Sequence, residues 1–376
     1  MSKKILLPYL SRSGHNIHSK TVGGGIEKFV RNLYEAFPAD SIPVEITTED
    51  RQAKKTKKVF LDAVRKNKPD LIIINDIDWY FTIPLIEESI PTIMVMHEPL
   101  VRDIRYVTWW RGIQEFIDAG GHLYFVSKHQ AEFHDKNVKR ITGWPLRGVK
   151  GTINSSFANG DELVSKQLRY DAVTIGRTDL TKNPFLLHKK LSKTDLSSCV
   201  LTNAENYQHS ENQKKYWDDN LHWVNPQYTY RGLTHRDTLE TMSMASCYVS
   251  TCPVESWGIT VLEALLHGVP VILLCDKSGR HSSESIPENH GHFKILNKNV
   301  TPEELTEAIH TMRFKFDAYE NRMALSESTK KKHSKEKWVD KWSEMMYNVP
   351  FEVLERPTLT EFAANGRPLI QDWSIM

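Results

Sequence analysis

YVSTCPVESWGITVLEALLHGVPVILL, residues 248–274, decides the reading of the fold. The β-branched run Tyr248 to Ser250 meets a turn at Cys252-Pro253. An amphipathic helix then starts near Trp257-Gly258 and stops at His267-Gly268, where glycine can take a left-handed C-cap. A second apolar run, Val269 to Leu274, follows at once. Strand, helix and strand with short connections are the local signature of a parallel sheet. Glu255 falls in the loop before the helix and Glu263 two turns on, a spacing that can point both carboxylates toward the carboxyl edge of that sheet. Carboxylates there suit vicinal hydroxyls, and the first helical amides, from Gly258, Ile259 and Thr260, suit a phosphate. An ordinary capped helix with two solvated glutamates is the alternative. Glu263 weighs against it, because Val261, Leu262, Ala264, Leu265 and Leu266 surround it and a lone carboxylate among them is costly.

Working outward, 376 residues at 40% hydrophobic content supply two domains of ordinary size. Strands are expected at Ile5 to Pro8, Pro43 to Thr47, Leu71 to Ile74, Thr92 to Met96 and Leu123 to Val126, with helices between them. The glycines Gly23, Gly24 and Gly25 open the first helix, which reaches about Phe37. They allow close backbone approach to an anion, and serve an ordinary tight turn equally well. The spacing lacks the full dinucleotide fingerprint and the lysine of a P-loop. His97 and Glu98 directly follow a strand, where a histidine can donate to a hydroxyl and a glutamate can take a proton from one; strand-end capping is the plain alternative.

Beyond them Arg102, Arg105, Trp109, Trp110 and Arg111 interleave guanidinium and indole groups. Such a segment suits phosphate contact and base stacking, and also an amphipathic helix burying its tryptophans. Residues 51–68 carry eight basic side chains, Lys54, Lys55, Lys57 and Lys58 among them, against the single acid Asp62, while residues 136–150 hold five and no acid. Net charge is only +2, so these are patches, suited to DNA, to anionic headgroups, or to simple solvation of a helix face.

The chain crosses into a second domain after residue 160, and YDAVTIGRTDLTK, residues 170–182, places Arg177 and Lys182 just beyond a strand end. Two cations there can neutralise a diphosphate leaving group. A strand at Cys199 to Thr202 and a helix running into Met244 follow, and closing helices are expected near Pro302 to Met312 and Ser334 to Met346. The divisions read are residues 1–165 as an N-terminal acceptor domain, 166–345 as a C-terminal donor domain, and 346–376 as a tail packing back on the first. The four cysteines, Cys199, Cys247, Cys252 and Cys275, have no CxxC pairing or zinc spacing and are expected as reduced thiols. No apolar run long enough to span a bilayer and no signal-peptide pattern occurs, so the expectation is a soluble, cytoplasmic protein without integral membrane contact. The sequence leaves its oligomeric state open, with a monomer expected.

GGGIEKF, His97 after its strand, IGRTDLTKN, YRGLTHRDTL and ESWGITVLEALLHGVPVI occur in the order that marks the family-four retaining glycosyltransferases, and the chain resembles that family. The resemblance implies an α/β fold of GT-B type, two Rossmann-like doubly wound domains facing a central cleft, and a nucleotide-sugar donor, UDP-linked, used without a metal or other cofactor. It implies that Glu255 contacts the donor sugar and Glu263 the ribose. Arg177 and Lys182 would hold the diphosphate, with Gly24, Gly25, Trp257, Gly258, Ile259 and Thr260 lining the donor site and His97 beside the anomeric carbon. Asn183-Pro184 departs from the pattern, where the family carries glycine after the lysine. Within the family the chain is similar, as a distant relative, to the T-even phage type of DNA α-glucosyltransferase. That likeness implies double-stranded DNA containing 5-hydroxymethylcytosine as acceptor, Glu98 as its base, glucose or arabinose as the sugar, and Arg102, Arg105, Trp109, Trp110, Arg111 and the lysines at 54, 55, 57 and 58 as DNA contacts. A cell-envelope transferase with a lipid or polysaccharide acceptor, an epimerase of free nucleotide sugars, and a catalytically idle scaffold are the rival readings.

Overall fold

The structure, a computed structural model, describes residues 3–11, 25–47, 53–75, 89–97, 113–114, 116–142, 146–160, 162–178, 180, 182–202, 211–225, 227–253, 255–275 and 291–348. Gly24, Glu98, Arg102, Arg105, Trp109, Trp110, Arg111 and the tail from residue 349 lie outside them. The chain divides into two compact units, residues 1–155 with 339–376, and residues 156–338.

The first unit contains β1 (Ile5–Ser11), α1 (Gly25–Ala36), β2 (Ser41–Thr47), α2 (Ala53–Asn67), β3 (Leu71–Asn75), β4 (Thr92–Met96), β5 (His122–Phe125), α3 (Lys128–Thr142) and β6 (Gly151–Thr152). Its six strands run in the order β2-β1-β3-β4-β5-β6, every pairing parallel. β3 and β4 are buried at every position, LIIIN and TIMVM, as strands covered on both faces must be. Phe60 and Val64 of α2 pack with Ile72, Ile74, Met94 and Met96 in one core cluster.

The second unit contains β7 (Ala172–Ile175), α4 (Phe185–Leu191), β8 (Ser198–Thr202), α5 (Glu211–Asn220), β9 (Thr229–Arg231), α6 (His235–Ser243), β10 (Tyr248–Ser250), α7 (Ile259–Leu266), β11 (Val271–Cys275), β12 (Phe293–Asn297), α8 (Pro302–Phe316) and α9 (Tyr319–Lys332). Its order is β12-β11-β10-β7-β8-β9, again all parallel. A helix α10 (Lys335–Ser343) follows, and a π turn, Glu344–Asn348, returns the chain to the first unit, where the Lys3 amine donates to the Met346 carbonyl at 2.7 Å. Two six-stranded parallel sheets flanked by helices are the doubly wound α/β architecture expected from the sequence.

α7 ends as its sequence dictates: Gly268 takes φ +72°, and a Cβ there would lie 2.6 Å from the Arg322 carbonyl oxygen. Arg322, 1% exposed, donates from Nε to the Gly268 carbonyl at 3.0 Å and through its other nitrogens to Ser165 and Ser243. One guanidinium thus ties the ends of α6 and α7 together, and burial draws its pKa down to about 10. The four cysteines are buried free thiols. No helix among the described residues is long and apolar enough to cross a membrane.

Candidate active site

In the second sheet the strand order reverses between β7 and β10, because β8 and β9 extend from one side of β7 while β10, β11 and β12 extend from the other. Open α/β sheets bind ligands outside the carboxyl ends of the strands at such a reversal. β7 runs out into Gly176 and Arg177, and β10 into Thr251 and the loop bearing Glu255. The Lys182 amine donates to the Glu255 carboxylate across this point, joining residues 73 apart in sequence. Both side chains are about a quarter exposed, 27% and 21%, so the pair borders solvent without being dissolved in it.

Local backbone chemistry holds Lys182 there. The Thr251 hydroxyl donates to the Lys182 carbonyl at 2.6 Å, tying the two loops, and a Cβ at Gly176 would come within 3.0 Å of the Lys182 Cβ. Asn183 takes φ +43°, a left-handed conformation that asparagine tolerates better than most residues. Its side-chain oxygen accepts from the Tyr216 hydroxyl at 2.8 Å. Asparagine therefore makes the turn here, and the Lys182 side chain still reaches Glu255. Burial disfavours the lysine cation, but the Glu255 carboxylate outweighs it and holds the amine above its ordinary pKa, with Arg177 opposing.

Glu263, in the second turn of α7, accepts from His235 Nε2 at 2.9 Å. The half-buried carboxylate so awkward in the sequence therefore has a partner, which nothing local in the sequence marks because α6 and α7 meet only in the fold. His267 Nδ1 donates to the Glu263 carbonyl at 2.8 Å, and burial lowers the pKa of that imidazole. Gly258 caps α7 with φ +76°, leaving the first amides of the helix without intrahelical partners by geometry. Trp257 is a core residue, 2% exposed, with its indole edge-on to His333 at 5.7 Å.

In the first unit, His97 stands one residue beyond β4, its Nε2 3.2 Å from the Asn75 side-chain oxygen at the end of β3. The ring meets Phe29 of α1 edge-on at 4.7 Å. Burial lowers its pKa from 6.5 to about 3, so it is neutral at physiological pH. Gly25 opens α1, and Lys54, Lys55, Lys57 and Lys58 all belong to α2, whose Lys58, Arg65 and Lys66 are exposed. No group of three or more His, Cys, Asp or Glu among the described residues is arranged to hold a metal ion.

Residues 160–331, almost the whole second unit, match one family model. Its description is Glycosyl transferases group 1. That match takes in Arg177, Lys182, Glu255 and Glu263 and stops short of the first unit. No curated protein matches the chain by sequence. Among solved structures the chain is similar to sucrose-phosphate synthase (tll1590) from Thermosynechococcus elongatus, with 14% identity over 91% of this chain and 98% of that one and a TM-score of 0.67. It is also similar to Anabaena Alr3699/HepE in complex with UDP-glucose, with 14% identity, coverage of 92% and 100%, and a TM-score of 0.65. The likeness to TarM, at 14% identity and a TM-score of 0.58, takes in 78% of this chain and 58% of that one. At such identities these likenesses bear on the fold, and the fold is GT-B.

Proposed function

We propose that this protein transfers a sugar from a UDP-sugar to the hydroxymethyl group of 5-hydroxymethylcytosine in double-stranded DNA, with retention at the anomeric carbon and without a metal. The observation that carries the donor half is the Lys182 to Glu255 pair at the strand reversal, in the segment matching the family model. Anabaena HepE, of similar fold, is described in complex with UDP-glucose, in keeping with a UDP-linked donor. Arg177 and Lys182 bring positive charge to the diphosphate, stabilising the negative charge that builds as the anomeric bond breaks. Glu255 binds the donor sugar, Glu263 binds the ribose hydroxyls, and the first amides of α7 hold phosphate oxygens. The acceptor oxygen bonds to the anomeric carbon on the face the diphosphate leaves, and its proton passes to the departing phosphate or to Glu98. His97, neutral, donates a hydrogen bond to the sugar.

The acceptor half draws support from the sequence likeness to phage DNA α-glucosyltransferases and from the basic exposed residues of α2. A base inside a duplex must leave the stack for its hydroxymethyl group to reach the donor. The test incubates the protein and radiolabelled UDP-sugars with hydroxymethylcytosine DNA, unmodified DNA and a bacterial lipid extract. Label is expected in the hydroxymethylcytosine nucleoside alone, α-linked. Label in the lipid fraction would replace the acceptor with an envelope one, conversion of the donor without any acceptor would indicate an epimerase, and an untouched donor would end the transferase reading.

A further inference from the structure

His235 is the first residue of α6, in a place fixed by its own helix. Thr234 caps that helix, its hydroxyl oxygen accepting from the Asp237 amide at 3.1 Å while the hydroxyl donates to the Asp237 carboxylate at 2.6 Å. The imidazole then reaches Glu263, 28 residues on, with Nε2 and Oε1 2.9 Å apart. An ionised carboxylate only accepts, so Nε2 carries the proton in this bond. Side-chain exposure is 30% for His235 and 13% for Glu263, so the pair stands at the surface of an otherwise apolar helix. Its foundation is rigid, because Arg322 donates both to Ser243, the last residue of α6, and to Gly268, just past α7. His267 anchors the Glu263 backbone from the other side. A glutamate has two free side-chain torsions beyond its first, and one short charge-assisted bond from a fixed donor selects among them. An ionised carboxylate has about four acceptor positions, so one that accepts from a histidine can also accept from a hydroxyl.

We infer that His235 is a positioning residue that orients the Glu263 carboxylate toward the ribose hydroxyls of the nucleotide donor and thereby sets discrimination for a ribonucleotide. The inference rests on the donor reading given above. It assigns His235 no contact with the reacting atoms, so its effect belongs in donor affinity and KM, with kcat little changed.

The experiment is calorimetric titration of the full chain with UDP and with 2′,3′-dideoxy-UDP. Wild type is expected to prefer UDP by about tenfold or more, the scale for a site whose buried polar group is left without its hydroxyl partner. In His235→Ala that preference should fall to about twofold or less, with dideoxy-UDP affinity almost unchanged. His235→Gln, whose amide can donate over a similar reach, should restore most of it, which a merely structural loss would not allow. Melting temperatures accompany each titration. If the alanine protein fails to fold, His235→Asn, polar but too short to reach Oε1, takes its place. Undiminished preference in a folded alanine or asparagine variant would overturn this inference alone. Failure of wild type to bind UDP would overturn the donor reading and this inference with it.

Discussion

The two sheets share one architecture and differ at their carboxyl edges. In the second unit the edge carries an ion pair, Lys182 with Glu255 at the strand reversal, and a histidine to carboxylate hydrogen bond, His235 to Glu263. In the first unit the described part of the edge holds a neutral histidine against an asparagine, His97 on Asn75, backed by the Phe29 ring. A charged edge with cations poised near a helix N-terminus suits a diphosphate. A neutral, partly apolar edge suits uncharged hydroxyls. The difference assigns the ionic work of the proposed reaction to one domain, and it can be broken at either end.

The largest effect is expected from removing the charged pair. Lys182→Ala or Glu255→Ala should lower transfer by about a thousandfold or more, in the range seen when electrostatic stabilisation of a developing charge is lost. Radiolabel transfer under single-turnover conditions measures it, and wild-type turnover in either variant would dismantle the site. Next in size is the support beneath it. Arg322→Ala leaves the carbonyls of Gly268, Ser165 and Ser243 without their donor and should cost about 3 kcal/mol of stability, read from chemical denaturation. A loss below about 0.5 kcal/mol would show that α6 and α7 hold each other without it.

The fold and the site were legible in the sequence to different depths. The strand, helix and strand of residues 248–274 could be read because its signals are local: an apolar run, a glycine that ends α7 at φ +72°, and a second apolar run. β4 was expected at its observed bounds for the same reason. α9 escaped notice because its buried face holds Arg322, Ser326 and Thr329 along with Leu325, so no apolar stripe advertises the helix. β9 and β12 are edge strands with largely half-exposed side chains, and an edge strand need not show the unbroken apolar run of a central one. Within the site, Glu255, Glu263, Arg177 and Lys182 stood out by type and position, whereas His235 and Thr251 act through partners 28 and 69 residues away and gave no local sign.

A smaller effect is a pH dependence that both units should share. An unfolded chain protonates each histidine below about pH 6.5, while folded His97 stays neutral down to about 3 and folded His188 down to about 4. The unfolded state therefore binds more protons as pH falls, and stability present at neutral pH is lost progressively through that window. Urea midpoints at about pH 7 and about pH 5 should drop accordingly, with a smaller drop in His97→Gln and in His188→Gln. A drop of the same size in both variants would show that neither imidazole drives it. The smallest effect concerns the acceptor: changing Lys58, Arg65 and Lys66 to alanine together should reduce the salt slope of DNA binding, by about 0.9 for each phosphate contact removed. An unchanged slope in anisotropy titrations would move DNA off α2.

The most direct test of the central claim, that the β7 and β10 ends form the nucleotide-sugar site, is photoaffinity labelling of the full chain with an azido-UDP-sugar followed by peptide mapping. The label should fall in peptides spanning residues 176–182 and 255–263, and excess UDP should abolish it. Label confined to other peptides, or label that UDP does not displace, would contradict the account.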